Sequence, residues 1–331
     1  MTKILSGVVQ TAALVALIIG SAALSTAQAS EEGVFPTRAV RIIVPFSAGG
    51  STDQVARSLA EGLGKLWQQP VVIENREGAS GMIGARVVAD AKPDGYTLLF
   101  GTQTTQTVLP HIVPKMPYNP AQAFTPITEL VSVAQLLTVP QSSRFQSLQQ
   151  LVDYAKSHPG DLTYGGGQGA TTDMTMRLFM SKAGIELLGI PYKGSALAMN
   201  DLLGSRLDSM FDVIMTSQPH VQAGRLRALA VTSSARFAAL PNVPTVAEQG
   251  YPGFATDVWF ALLAPAGTAA ETVKKIADDS RTVLNEDARK KTLTEAGFRI
   301  VASDPATFAA RVHKEDETWS RVVKEFNIRM E

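Results

Sequence analysis

The stretch Val40-Arg41-Ile42-Ile43-Val44-Pro45-Phe46-Ser47-Ala48-Gly49-Gly50-Ser51-Thr52-Asp53 reads as a strand, a glycine turn and the start of a helix. Val40 to Phe46 is rich in the β-branched and aromatic side chains that suit a pleated, buried surface. Ser47-Ala48-Gly49-Gly50 breaks the strand, and its glycines let the backbone turn sharply. From Ser51 the spacing changes. Val55, Leu59, Leu63 and Leu66 recur at helical intervals and define one buried face. Ser51 with Gln54 three residues on fits the capping box that opens a helix. A strand feeding a helix through a short turn is the unit from which mostly parallel α/β sheets are built.

The same alternation continues outward. Val71-Val72-Ile73 and Tyr96 to Phe100 are predicted strands, with a helix around Ile83 to Ala91 between them. It restarts at Leu162-Thr163-Tyr164, with Gly165 to Gly169 as a turn and a helix from Thr172 to Ala183. A strand from Leu187 to Tyr192, the turn Lys193-Gly194 and a helix from Ser195 to Leu203 follow. Two more strands are expected at Asp208–Ile214 and Leu226–Thr232. Two α/β units are therefore expected. The apolar stretches Ile127–Val139 and Asp257–Ala264 are where the chain can cross between them. That places domain 1 at residues 30–130 plus 255–331 and domain 2 at 131–254, with a ligand cleft between them. Glu271 to Phe326 reads as helices around a short strand, Arg299-Ile300-Val301, returning to domain 1. Pro110 to Pro126 is expected to be ordered, because Met116, Tyr118 and Phe124 interleave with its prolines.

The N-terminus carries Lys3, an uncharged and mostly apolar run from Ile4 to Leu24, and then Ala27-Gln28-Ala29. This is the pattern of a secretory signal peptide, residues 1–29, cleaved after about Ala29, and it implies export to the periplasm. A retained membrane anchor is the alternative reading. There are 0 cysteines, so no disulfide, thiolate metal site or lipid-bearing cysteine is expected. Lys plus Arg and Asp plus Glu each number 30, which gives no broad nucleic-acid or anionic-membrane surface. An anion must then be held by local groups, and a monomer without cofactor is the default.

One local device occurs twice. Gly49-Gly50-Ser51-Thr52-Asp53 and Gly169-Ala170-Thr171-Thr172-Asp173 each follow a strand, open a helix and end in Thr-Asp. The first N–H groups of a helix lack intrahelical partners and carry partial positive charge. Such a terminus binds an anion without help from Lys or Arg. In open α/β sheets these turns lie at the strands' carboxyl ends, where ligands bind. If the two units face one another, a carboxylate held between the helix starts cross-links them and favours closure. Two ordinary capped turns would look alike. Asp53 and Asp173 are read as first-turn residues favoured by the helix dipole, not as catalytic carboxylates.

Enzyme motifs are not met. Gly165-x-Gly167-x-x-Ala170 fits the dinucleotide pattern, but the acidic residue expected about 20 positions on is replaced by Tyr192-Lys193. No Lys-Ser/Thr follows a glycine loop, and Ser47 lacks the nucleophile elbow. His111, His158, His220 and His313 have no metal-binding spacing. Tyr192 can wall a pocket while Ser195 caps its helix or touches a ligand. Phe211-Asp212 can present an acidic group to a ligand or satisfy backbone donors. Trp259 reads as core or as pocket wall.

Taken in order, the blocks resemble the extracytoplasmic receptors of tripartite tricarboxylate transporters, often called the Bug family. The matching stretches are Arg41 to Asp53, Val72-Ile73-Glu74-Asn75-Arg76-Glu77-Gly78-Ala79, Pro93-Asp94-Gly95-Tyr96-Thr97-Leu98-Leu99 and Pro191-Tyr192-Lys193-Gly194-Ser195. Met210-Phe211-Asp212, Gly224 to Thr232, Pro241 to Val246 and Leu263 to Thr268 complete the set. The resemblance implies a two-domain α/β Venus flytrap of the type II periplasmic binding class, with transporter membrane subunits as partners. It implies a carboxylate gripped by Phe46, Ser47, Ala48, Gly49, Gly50, Ser51 and Thr52 from one side. From the other side come Gly167, Gln168, Gly169, Thr171 and Thr172; Tyr192, Ser195, Phe211 and Asp212 are added as candidate contacts on the residue reading above. Where relatives often carry glycines after the third strand, this chain has Thr102-Gln103-Thr104-Thr105-Gln106-Thr107. Thr102 and Thr104 are expected to read the far end of the ligand. Ligands associated with such receptors include citrate-like acids, acidic amino acids, nicotinate-like acids and aromatic dicarboxylates. Phe46, Tyr192, Phe211 and Trp259 can line a flat slot, which suits an aromatic acid such as terephthalate. An exported α/β enzyme acting on a small organic acid, or a receptor feeding a signalling system, are the alternative readings.

Overall fold

The computed structural model describes residues 35–167, 170–192 and 195–329. The expected signal peptide, Gln168, Gly169, Lys193 and Gly194 lie outside them. By its contacts the chain divides between Thr37 and Arg38; residues 35–37 are the described end of the smaller unit, and the fold below is that of the larger.

β1 (Val40–Val44) leads through the glycine turn into α1 (Ser51–Trp67), then β2 (Val71–Asn75), α2 (Met82–Ala89) and β3 (Thr97–Thr102). β1 lies between β2 and β3 and runs parallel to both. Val55, Leu59 and Leu63 of α1 are fully buried, whereas Leu66 is 47% exposed, so the apolar stripe ends one turn early. After β3 a π-helical turn, Thr104–Val108, enters α3 (Leu109–Ile112), and α4 (Pro120–Ala123) precedes β4 (Phe124–Pro140). Tyr118 and Phe124 are buried edge to face, which gives the proline-rich connection its order.

β4 is 17 residues long. It is followed by α5 (Leu148–Ser157), β5 (Thr163–Gly167), α6 (Thr171–Ala183), β6 (Leu188–Tyr192) and α7 (Ser195–Leu203). Then come β7 (Met210–Val213), α8 (Ile214–Gln222), β8 (Leu226–Val231) and β9 (Asp257–Pro265). The chain ends with α9 (Ala270–Leu284), α10 (Asp287–Glu295), β10 (Arg299–Ile300) and α11 (Pro305–Glu325). Residues Phe124 to Ala134 of β4 pair antiparallel with β9, which also pairs with β3. From Gln135 to Pro140 the same strand pairs with β7 and β8 instead. One long strand thus joins two sets of neighbours, and the sheet is mixed. β5 and β6 form a separate parallel pair.

Three features differ from the sequence reading. The main sheet is not mostly parallel, because β4 and β9 run antiparallel to the strands they pair with. Gly165, Gly166 and Gly167 continue β5, opposite Ile190, Pro191 and Tyr192, and are not the turn. Their lack of side chains serves packing: a Cβ on Gly166 would lie 3.2 Å from the Asp173 Cβ, at the start of α6. The strand expected at Asp208–Ile214 stops at Val213, and Ile214 begins α8. Pro219 inside that helix, and Ile214 and Met215 continuing the apolar run of the strand before it, hide the helix start.

Two parts of the core bear on the site. Ile43, Leu99, Trp259, Leu263 and Phe308 form one cluster under α2 and α11. Phe179, Phe211, Leu137, Trp319, Val322 and Val323 belong to another. α11 therefore gives Phe308 to the first and Trp319 to the second. Its 21 residues span about 31 Å at the helical rise.

Candidate ligand site

The first helix start is built around Asp53. Gly49 turns the chain with φ +85°, and Gly50 is the N-cap of α1, with no side-chain capping bond. The expected capping box at Ser51 and Gln54 does not form. Gln54 instead sends its side-chain amide to the Gly49 carbonyl at 3.1 Å. The cap is supplied from inside the helix. The Asp53 carboxylate accepts the Gly49 N–H at 2.9 Å, Arg57 Nε at 2.8 Å and Asn75 Nδ2 at 2.9 Å. Asn75 also donates to the Phe46 carbonyl at 3.0 Å, so β2 fixes both ends of the loop. Asp53 is 2% exposed. The Arg57 hydrogen bond, helped by Gly49 and Asn75, overcomes the cost of burial and brings its pKa down to about 2. The Ser47 hydroxyl donates to Glu77.

The second start repeats the device. Ala170 is the N-cap of α6, and buried Asp173 accepts the Tyr164 hydroxyl at 2.9 Å and Arg177 Nε at 3.1 Å. Thr52-Asp53 and Thr172-Asp173 are thus the first two members of a Thr-Asp-x-x-x-Arg motif that occurs in both helices. The arginines were missed in the sequence reading, although their i,i+4 spacing is the signal that pairs a helical carboxylate with a cation. Their effect is electrostatic: each Asp would repel an incoming carboxylate, and its Arg offsets that charge.

Thr104, in the π-helical turn after β3, and Thr171, the first residue of α6, exchange a hydroxyl–hydroxyl hydrogen bond of 3.0 Å. This joins the end of β3 to the second helix start. Thr102 is buried, and its hydroxyl and N–H are both within bonding distance of Thr105 Oγ1, at 3.4 and 3.2 Å, so it organises the turn from beneath. The four aromatic side chains proposed for a slot do not share one role. Phe46 and Tyr192 are half-buried, and the Tyr192 hydroxyl donates to Asp201 at 2.7 Å. Phe211 is packed in the core edge-on to Phe179. Trp259 is 0% exposed, edge-on to Phe308, with its indole N–H donated to Glu315 at 2.7 Å; it is core. Asp212 is buried beside Phe211. One of its oxygens accepts from Thr216 and Ser217, the other has no partner among the described residues, and burial raises its pKa. Ser195 starts α7 half-buried. Among the described residues no three His, Asp or Glu side chains gather to hold a metal, and no helix is long and apolar enough to cross a membrane.

A family model described as the tripartite tricarboxylate transporter family receptor matches residues 55–328. The chain belongs to this receptor family. BugT of Bordetella pertussis is 32% identical over 95% of this chain and 96% of its own. A solved structure, R. palustris Rpa4515 with adipate, is 36% identical, covers 89% of this chain and 99% of its own, and has a TM-score of 0.75. MatC from Rhodopseudomonas palustris, with bound malate, is 32% identical over 87% of this chain and 100% of its own, with a TM-score of 0.72. The fold is therefore the two-domain α/β fold of the periplasmic binding proteins, and this family member is a solute-binding receptor, not an enzyme.

Proposed function

We propose that the chain captures a small dicarboxylate between the starts of α1 and α6 and delivers it to the membrane subunits of a tripartite tricarboxylate-type transporter. In this reading residues 30–130 plus 255–331 form one domain and 131–254 the other, with β4 and β9 as the crossings. The signal 1–29 directs the chain to the periplasm, where it acts as a monomer. The observation that carries the reading is the 3.0 Å bond between Thr104 and Thr171, which draws the end of β3 to a helix start built like that of α1. Two positive helix ends, each with its own Asp already matched by Arg57 or Arg177, suit an anion.

The relatives solved with adipate and malate support an aliphatic acid. So does the use of Phe211 and Trp259 as core, which leaves Phe46 and Tyr192 as the aromatic walls of the proposed slot. Terephthalate is accordingly the second choice. Isothermal titration of ligand-stripped protein with malate, adipate and terephthalate tests this. The aliphatic acids are expected to bind more tightly, and Thr104→Ala to weaken them about fivefold, the worth of roughly one hydrogen bond. Absence of heat with all three acids would remove the carboxylate reading, and preference for terephthalate would reverse the ligand order.

A further inference from the structure

A separate cavity of about 370 Å³ opens between α6, the turn after β3, the start of β9 and α11. Lys182, Lys314 and Arg321 stand at its exposed rim, and Gln103, Asp257 and Trp319 lie buried in its wall. Two other arginines of the lining are already matched. Arg299 binds Asp257 at 3.0 Å, and Arg311 binds Glu129 at 2.7 Å and Glu315 at 2.9 Å. Lys182, Lys314 and Arg321 have no ion-pair partner among the described residues, which leaves three positive charges around one opening.

Three residues of the lining carry buried polar atoms that have no partner among the described residues, and these include a donor and acceptors. The Trp319 indole N–H, on a side chain 1% exposed, has no acceptor. Gln103 donates through Nε2 to Glu315 at 2.8 Å, but its carbonyl oxygen is buried without a donor. Asp257 accepts Arg299 on one oxygen, and the other has no partner. Each such group costs about 1–3 kcal/mol when left unpaired, so native proteins rarely keep them without an occupant. The cavity volume is at the lower end of those that hold small ligands, roughly 300–1,000 Å³.

We propose that this cavity is a second binding site, separate from the helix-start cleft, for a small oxyanion that keeps an O–H group, of which hydrogenphosphate is the simplest member. The anionic oxygens face Lys182, Lys314, Arg321 and the Trp319 N–H. The O–H donates to Gln103 Oε1 or Asp257 Oδ1. A fully deprotonated oxyanion of the same size would set its oxygens against those two acceptors and bind less well.

The test is titration of inorganic phosphate and of sulfate into the full chain in phosphate-free buffer near neutral pH, read by calorimetry and tryptophan emission. The comparison variant is Lys314→Gln combined with Arg321→Gln, two exposed positions outside the proposed cleft. Saturable phosphate binding is expected, weaker by at least about tenfold in the variant and for sulfate, as for the loss of a charge-assisted hydrogen bond. Non-saturable phosphate binding, equal affinity in the variant, or sulfate binding as well as phosphate would each overturn the proposal and leave ordered water as the occupant.

Discussion

Asp53 holds three donors at 2.8 to 2.9 Å and ties the first glycine turn to β2, so its carboxylate is where loop geometry meets electrostatics. Its folded pKa of about 2 lies below the ordinary 3.8. The contribution to stability is therefore complete above about pH 4 and fades as the pH falls through 2. Half-exposed Arg57 is screened by water, so the effect is about 1–2 kcal/mol, short of the full shift. Asp53→Asn is expected to remove that acid-limb slope in urea titrations and to weaken ligand binding by freeing Gly49. Asp212 has the opposite sign. Burial favours its protonated form, so its charge destabilises the ligand-free fold increasingly as the pH rises above the ordinary carboxylate range. Asp212→Asn is expected to raise the thermal midpoint of ligand-free protein at neutral pH, and to weaken binding if the ligand uses the free oxygen. A lowered midpoint would mean that the Thr216 and Ser217 bonds outweigh the burial of charge. The first glycine turn and both Thr-Asp pairs were legible at this scale, because helix starts have short, local signatures. The clamping of the Phe46 carbonyl by Asn75 was not, since that contact spans 29 positions and depends on the pairing of β1 with β2.

At the scale of elements, the alternation of strand and helix was readable because buried parallel strands are short apolar runs and α1 has one clear apolar face. The boundary of β5 was misread for a physical reason. Gly165 and Gly166 look like a turn, but they are strand residues stripped of side chains so that α6 and α7 pack closely. Gly166→Ala is accordingly expected to cost about 1–3 kcal/mol in chemical denaturation, the range for overpacking, by pressing on Asp173. A neutral result would mean that α6 shifts freely. α8 was hidden by Pro219 and by Ile214 and Met215, which read as the end of the preceding strand.

For the whole molecule, β4 and α11 are the long elements that touch both sets of packing. β4 changes partners at Gln135, and α11 places Phe308 in one cluster and Trp319 in the other. The apolar stretches that form β4 and β9 were visible in the sequence. Their antiparallel pairing with each other was not, because pairing joins residues more than a hundred positions apart. The reach of α11 to α6 was also unreadable, since an amphipathic helix shows which face is buried and not against what. The central claim is that a carboxylate is gripped by the two helix starts. The most direct measurement is the thermal shift of ligand-stripped protein with malate and adipate, each beside its diamide. At about 100 times the dissociation constant, an acid is expected to stabilise the fold by about 2.7 kcal/mol, and its diamide to give no shift. Equal shifts with acid and diamide, or none with either, would contradict the account.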